Sequence, residues 1–107
     1  MKEKQVNKLK IGYKEIKTWE CNNPDGNIVA ITEGDRVKIH YDVSKNAFSD
    51  DFNKRHPDNT VIIDVQQLFK NKIFGAEVGG MRGVYVELKT NQIISVEKLY
   101  VINGCTD

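Results

Sequence analysis

Residues 36–43 alternate apolar and polar side chains, and this alternation restricts the fold more than any other feature of the sequence. Successive side chains of a β-strand point to opposite faces of a sheet. A period of two therefore predicts a strand with one buried face and one face in water. Shorter apolar or alternating segments predict further strands. The first of them starts at about residue 11, and the others lie at residues 28–32, 61–65, 83–89, 92–97 and 99–102.

Turn residues separate these segments at short intervals. Pro24, Asp25 and Gly26 give the clearest turn signal, because proline presets φ at the first central position and glycine accepts a positive φ. The connections are too short for repeated parallel crossovers, which favours antiparallel pairing. We therefore expect a mainly β fold: a small antiparallel barrel or a strongly bent sheet of about six strands, with one short helix.

The length of 107 residues suits a single domain, and we expect residues 1–10 and 104–107 to fray at its ends. Residues 66–71 are expected to form a helical turn, with Leu68 and Phe69 facing inward. Residues 44–59 form the longest irregular stretch, and Phe48 and Phe52 lie four residues apart within it. These two rings either pin the loop to the core through one short helical turn or line a ligand groove.

Charge and cysteine content narrow the functional classes. Sixteen Lys and Arg residues face fifteen Asp and Glu residues, so the net charge of +1 gives no global reason to expect a nucleic acid or an acidic partner. The two cysteines and two histidines are too widely spaced for a structural zinc site, and we expect no metal and no cofactor. The two cysteines, Cys21 and Cys105, either form a disulfide or remain two free thiols in a reducing cytosol, and the rarity of cytosolic disulfides favours the free thiols.

The longest apolar runs have four residues, which is too short for a secretory signal or a membrane-spanning helix. We therefore expect a cytoplasmic protein with no membrane partner. Ser44, Ser49 and Ser95 do not lie in a G-x-S-x-G motif, and the acidic residues flank strands or turns, where solvated carboxylates are ordinary. These features favour a protein without catalytic activity.

Residues 75–83 contain four glycines and carry Met81 and Arg82 between glycines. Such a segment forms a hairpin tip, or it brings backbone amides close to a phosphate. A guanidinium such as that of Arg82 can bind a carboxylate or a phosphate through two hydrogen bonds. This tip is therefore a candidate contact element.

Residues 34–41 read G-D-R-V-K-I-H-Y, and Phe48 and Asp50 follow shortly after them. This segment resembles the G-D-x-V-x-V-x-Y strand of the FKBP-type peptidyl-prolyl isomerases, and Phe48 and Asp50 lie where their phenylalanine–aspartate pair comes. Residues 73–81 resemble their I-x-G-x-E…G-M segment but are two residues shorter. The resemblance covers residues 34–83.

This resemblance implies an isomerase pocket with Tyr41, Phe48 and Ile73 as its walls and Asp50 as a polar lip. Ala76 stands where the family has a pocket tryptophan, so the resemblance implies a degenerate member. The opening strand, the glycine-rich tip and the closing residues 99–102 are also similar to small Src-homology-type barrels, including KOW-like modules.

We therefore expect a small non-catalytic binding module, most simply an accessory or immunity-type protein that binds another protein. The first alternative is a nucleic-acid-binding barrel, in which the N-terminal lysines with Lys70, Lys72 and Arg82 bind phosphates and Tyr85 stacks on bases. The second alternative is a degenerate FKBP-like isomerase. The candidate binding residues are Tyr41, Phe48, Phe52, Lys70, Lys72, Met81, Arg82 and Tyr85.

Overall fold

The computed structural model describes residues 8–14, 17–79 and 83–100, whose eight strands form two antiparallel sheets. One sheet contains β1 (Lys10–Lys14), β2 (Thr18–Asn22) and β3 (Ile28–Thr32), in that order. The other contains β4 (Arg36–Tyr41), β5 (Thr60–Leu68), β6 (Lys72–Glu77), β7 (Tyr85–Lys89) and β8 (Ile93–Leu99). Its spatial order is β7-β6-β5-β4-β8. Helix α1 (Asp50–Arg55) and 3-10 turns at Val43–Lys45 and Thr90–Gln92 complete the described elements.

The predicted fold class is confirmed. The described residues are mainly β, the strands pair antiparallel, and one short helix joins β4 to β5. The two sheets do not close into a barrel within these residues, and the strand count is eight rather than about six. Of the ends expected to fray, residues 1–7 and 104–107 lie outside the described residues, whereas Lys10 already belongs to β1.

The helical turn expected at residues 66–71 is wrong. Strand β5 continues to Leu68, and a bulge between Val65 and Gln67 shifts its register against β6. The extra residue of a bulge breaks the simple alternation while the chain stays extended, and so it hides the strand from a periodicity argument. Phe69 follows the strand and is 38% exposed, although we expected it to face inward.

Strand β2 was not predicted from the sequence, although it carries two of the most buried side chains. Trp19 and Cys21 are both 0% exposed and alternate with exposed neighbours. The indole Nε1 of Trp19 donates a hydrogen bond of 2.7 Å to the carbonyl of Phe69, which follows β5. Burial raises the pKa of the Cys21 thiol to about 12, and this thiol forms no disulfide within the described residues. Cys105 lies outside the described residues.

Asn23, just after β2, joins the two sheets. Its side-chain Nδ2 donates to the carbonyl of Val96 and its Oδ1 accepts from the amide of Val96, both at 2.8 Å. The side-chain amide thus bonds the edge of β8 as a paired strand would. Asn23 is only 9% exposed, so water does not readily replace these bonds.

We expect Asn23→Asp to lower the free energy of unfolding by about 1–3 kcal/mol, because a carboxylate cannot donate to the Val96 carbonyl and a buried acceptor is left unpaired. Urea denaturation followed by tryptophan fluorescence measures the loss. The exposed neighbour Asn22→Asp is the matched control and is expected to stay within about 0.5 kcal/mol. Equal losses in both variants would contradict the role given to Asn23.

The bulge of β5 also explains Gly75 in β6. A Cβ atom at this position would overlap the backbone carbonyl oxygen of Asp64 and lie 3.2 Å from the Ile63 Cδ1 atom. The close approach of the two backbones therefore requires glycine.

We expect Gly75→Ala to lower the free energy of unfolding by about 1–3 kcal/mol, since the β5 backbone must move to accept the methyl group. Thermal unfolding by circular dichroism measures it. A Cβ atom on Gly12 in β1 would meet no atom within 4 Å, so Gly12→Ala is the control and should leave stability unchanged or slightly raised. An unchanged melting temperature for Gly75→Ala would show that the two strands do not approach this closely.

Candidate functional site

Three of the candidate residues form a cluster, to which helix α1 contributes Phe52. Tyr41 and Phe48 pack edge to face with ring centroids 4.7 Å apart, and Phe48 stacks on Phe52 at 4.0 Å. The helix holds Phe52 there because the Ser49 hydroxyl caps its N-terminus by accepting the Phe52 amide. Asp50 and Asp51 in the first turn complement the helix dipole.

The stack ends on His56, whose ring lies 4.0 Å from that of Phe52. The His56 Nδ1 atom is 2.7 Å from the carbonyl of Phe52, and Nε2 is 2.7 Å from Glu77 Oε2. The side chains of His56 and Glu77 are only 14% and 6% exposed. Oε1 of Glu77 is buried and has no hydrogen-bond partner among the described residues.

These distances fix the number of protons in the pair. A carbonyl only accepts, so Nδ1 of His56 carries a proton, and the short contact between Nε2 and Oε2 of Glu77 needs another. The pair is therefore either an imidazolium with a carboxylate or an imidazole with a carboxylic acid. In both cases it ties the end of α1 to β6.

The aromatic residues pack against one another rather than lining an open pocket. Tyr41 is 1% and Ile73 is 0% exposed, and burial raises the pKa of the Tyr41 hydroxyl above its usual range. That hydroxyl stays protonated and donates to Asn53 Oδ1 of α1 at 3.0 Å. Of the three residues that the isomerase resemblance places in pocket walls, Tyr41 and Phe48 contact Phe52 of α1, and Ile73 is buried in the core.

We expect Glu77→Ala to lower the free energy of unfolding by about 3–5 kcal/mol, because it leaves His56 without its partner in a buried place. Glu77→Gln should lose less than about 1.5 kcal/mol, since the amide donates to the neutral imidazole and keeps the volume. Urea denaturation compares them. The control is Glu87→Ala at a side chain 51% exposed, expected to be near neutral. Equal stability of Glu77→Ala and Glu87→Ala would contradict a buried, structural pair.

The outer side of β6 and β7 carries a different group of aromatic rings. Phe74 and Tyr85 stack nearly parallel, with centroids 5.6 Å apart and an interplanar angle of 9°, and Tyr85 is 56% exposed. Lys72 Nζ lies 5.1 Å from the ring centre of the half-exposed Phe69. We call Phe69, Phe74 and Tyr85 the aromatic face.

The charges on this side of the sheet largely offset one another. Lys72 Nζ lies 3.8 Å from Glu87 Oε1, and the guanidinium of Arg36 bonds both carboxylate oxygens of Asp64 at 2.8 and 3.2 Å. Lys70, in the turn before β6, and Lys89 are exposed. Among the described residues, the aromatic face is therefore bordered by two ion pairs and by the exposed Lys70 and Lys89.

The candidate residues thus separate into three groups. Tyr41, Phe48 and Phe52 form one cluster in and beside the core, whereas Lys70, Lys72 and Tyr85 lie around the aromatic face. Met81 and Arg82 lie outside the described residues. Sequence reasoning missed Phe69, Phe74, His56 and Glu77. The alternation within β6 was the available signal for Phe74, because Lys72, Phe74 and Ala76 share a face opposite Ile73, Gly75 and Glu77.

Within residues 8–14, 17–79 and 83–100, no three His, Cys, Asp or Glu side chains lie close enough together to hold a metal ion. In the same part of the chain, no helix has the length and apolar character that crossing a membrane requires. No protein-family model, curated protein or solved structure matches the chain.

Proposed function

We propose that the chain is a non-catalytic, cytoplasmic binding module that recognises another protein through its aromatic face. The observation that carries the proposal is the stacked pair of Phe74 and Tyr85, which stays accessible although the core beneath it is full. Exposed aromatic rings that are already held rigid lose little conformational entropy on binding. Tyrosine is, for that reason among others, enriched at the energetic centres of protein interfaces.

The surrounding charges favour a protein over a polyanion. Nucleic-acid affinity depends on cations that neutralise phosphates, and Lys72 already has Glu87 beside it. Alternating acidic and basic side chains around an apolar centre are the usual rim of a protein interface. The paired charges at Arg36 and Asp64 extend the same pattern across the sheet.

The buried titratable pair supports a role without catalysis. His56 at the end of α1 and Glu77 in β6 have side chains only 14% and 6% exposed, and they contact each other at 2.7 Å, so they offer a substrate little access. The isomerase alternative stays a prediction, which a prolyl-peptide isomerisation assay tests. A reducing cytoplasm also suits the free thiol of Cys21.

We expect Tyr85→Ser to reduce recovery of the partner at least about tenfold when the purified protein is used as bait in cell extract, because truncating a central interface aromatic removes much of the binding energy. Quantitative mass spectrometry of the captured proteins measures the change. The control is Ile28→Ser on β3, which removes a side chain of similar exposure, 63% against 56%, from the other sheet. Circular dichroism confirms that both variants are folded.

Equal recovery of the same proteins by wild type and Tyr85→Ser would contradict the proposal. The nucleic-acid alternative has one observation in its favour, the exposed Lys70 and Lys89 near Tyr85. It requires amide shifts around Tyr85 when a mixed oligonucleotide is added, and these shifts should weaken steeply between about 50 and 200 mM salt.

A further inference from the structure

The edge strands of the two sheets differ in whether their outward backbone groups are hydrogen-bonded. On β8 the outward amide and carbonyl of Val96 are both bonded to Asn23. On β3 the amide and carbonyl of Thr32 are bonded by Asp35, and the carbonyl of Ala30 accepts from Lys98 Nζ at 3.4 Å. Side chains therefore occupy much of these two edges, which is a common protection against unwanted pairing.

Strand β7 is open by comparison. The amide of Glu77 donates to the carbonyl of Val84, and the amide of Thr90 donates to the carbonyl of Asn71. The even-numbered residues of β7 therefore direct their backbone amides and carbonyls towards β6. Tyr85 and Glu87 consequently direct their amides and carbonyls away from the sheet. Among the described residues nothing bonds these four groups. The outward amide of the next such residue, Lys89, is already taken by Gln92 Oε1 at 2.9 Å.

Strand β1 is the remaining edge, and it carries no inference. Its outward residues border segments outside the described residues on both sides, residues 1–7 and 15–16, so nothing shows what covers it.

We propose that a second copy of this chain pairs antiparallel with β7 around a two-fold axis through Val86. Two-fold dimers are the commonest oligomers of soluble proteins, and they require a patch that is complementary to itself. In this register Tyr85 of each copy faces Glu87 of the other, and the two residues exchange amide and carbonyl hydrogen bonds. All four open groups of each copy are then satisfied, and the two five-stranded sheets become one.

The side chains select this register. Shifting the axis to Glu87 would place the two Glu87 carboxylates directly opposite each other, which is unfavourable. Shifting it to Tyr85 would require Gly83 to pair, but Gly83 has a φ of +81° and is not extended. Pairing through Val86 opposes no like charges and keeps the buried side chain of Val86 on the core side.

The pairing goes beyond the proposed function, and it places the two aromatic faces side by side in one surface. Its contact is short, because only a five-residue strand is offered, so the dimer forms reversibly with protein concentration rather than permanently.

The test is sedimentation velocity of the full chain from about 10 µM to about 1 mM, a range that detects weak dimers. Wild type should shift from a 12.2 kDa monomer towards twice that mass. Glu87→Pro removes one outward amide from each copy without touching the bonds between β7 and β6, and should weaken dimerisation at least about tenfold. Glu87→Thr also loses the Lys72 contact but keeps the amide, so it is the matched control and should still dimerise.

A wild type that stays monomeric at the highest concentration would overturn the proposal, and so would a dimer that Glu87→Pro leaves intact. Should that variant not fold, hydrogen exchange of wild type decides: the amides of Tyr85 and Glu87 must become protected as the concentration rises, and constant rates contradict the pairing. The two proposals can fail separately. If the wild type stays monomeric but Tyr85→Ser loses partner capture, the proposed function stands and this dimer does not.

Discussion

The pair of hydrogen bonds between the Asn23 side chain and the backbone of Val96 is the contact on which the arrangement of the two sheets depends. The three-stranded sheet is too small to be stable alone, and it contributes its buried side chains, Trp19 and Cys21 above all, only if it is held against the larger sheet. The indole bond from Trp19 to Phe69 fixes a second point. Trp19 lies in β2 and Asn23 directly follows it. The middle strand of the small sheet therefore determines how the two sheets pack against each other.

That arrangement decides which surface is left for function. Asn23 occupies the edge of β8, and the buried pair of His56 and Glu77 holds α1 over the aromatic cluster beside Tyr41. Strand β7, at the opposite edge of the large sheet, carries no such attachment among the described residues. There, β6 and β7 present the stacked rings of Phe74 and Tyr85 together with open backbone groups. The accessible aromatic rings and the unpaired edge are thus two consequences of one topology.

How much of this the sequence predicts depends on how local each feature is. Alternation and turn residues are local, so the strand Ile28–Thr32 and most of β4 are predictable. The bulge in β5 and the glycine it requires at Gly75 arise from the register between two strands, which no single segment encodes. The contact of His56 with Glu77 and the stacking of Phe74 on Tyr85 likewise join residues from different elements. The four-residue spacing of Phe48 and Phe52 predicts that the two rings act together, but it does not distinguish a filled cluster from a groove.

Native-state hydrogen exchange of the Val96 amide tests whether the Asn23 side chain holds the two sheets together. An amide on the outer edge of a sheet normally exchanges quickly, whereas one bonded to a buried side chain opens only with larger unfolding. If Asn23 holds the sheets together, the Val96 amide exchanges within about tenfold of the amide of Ile39, whose strand lies between two others. Exchange of Val96 as fast as that of the Glu87 amide in dilute protein would show that Asn23 does not hold the two sheets together.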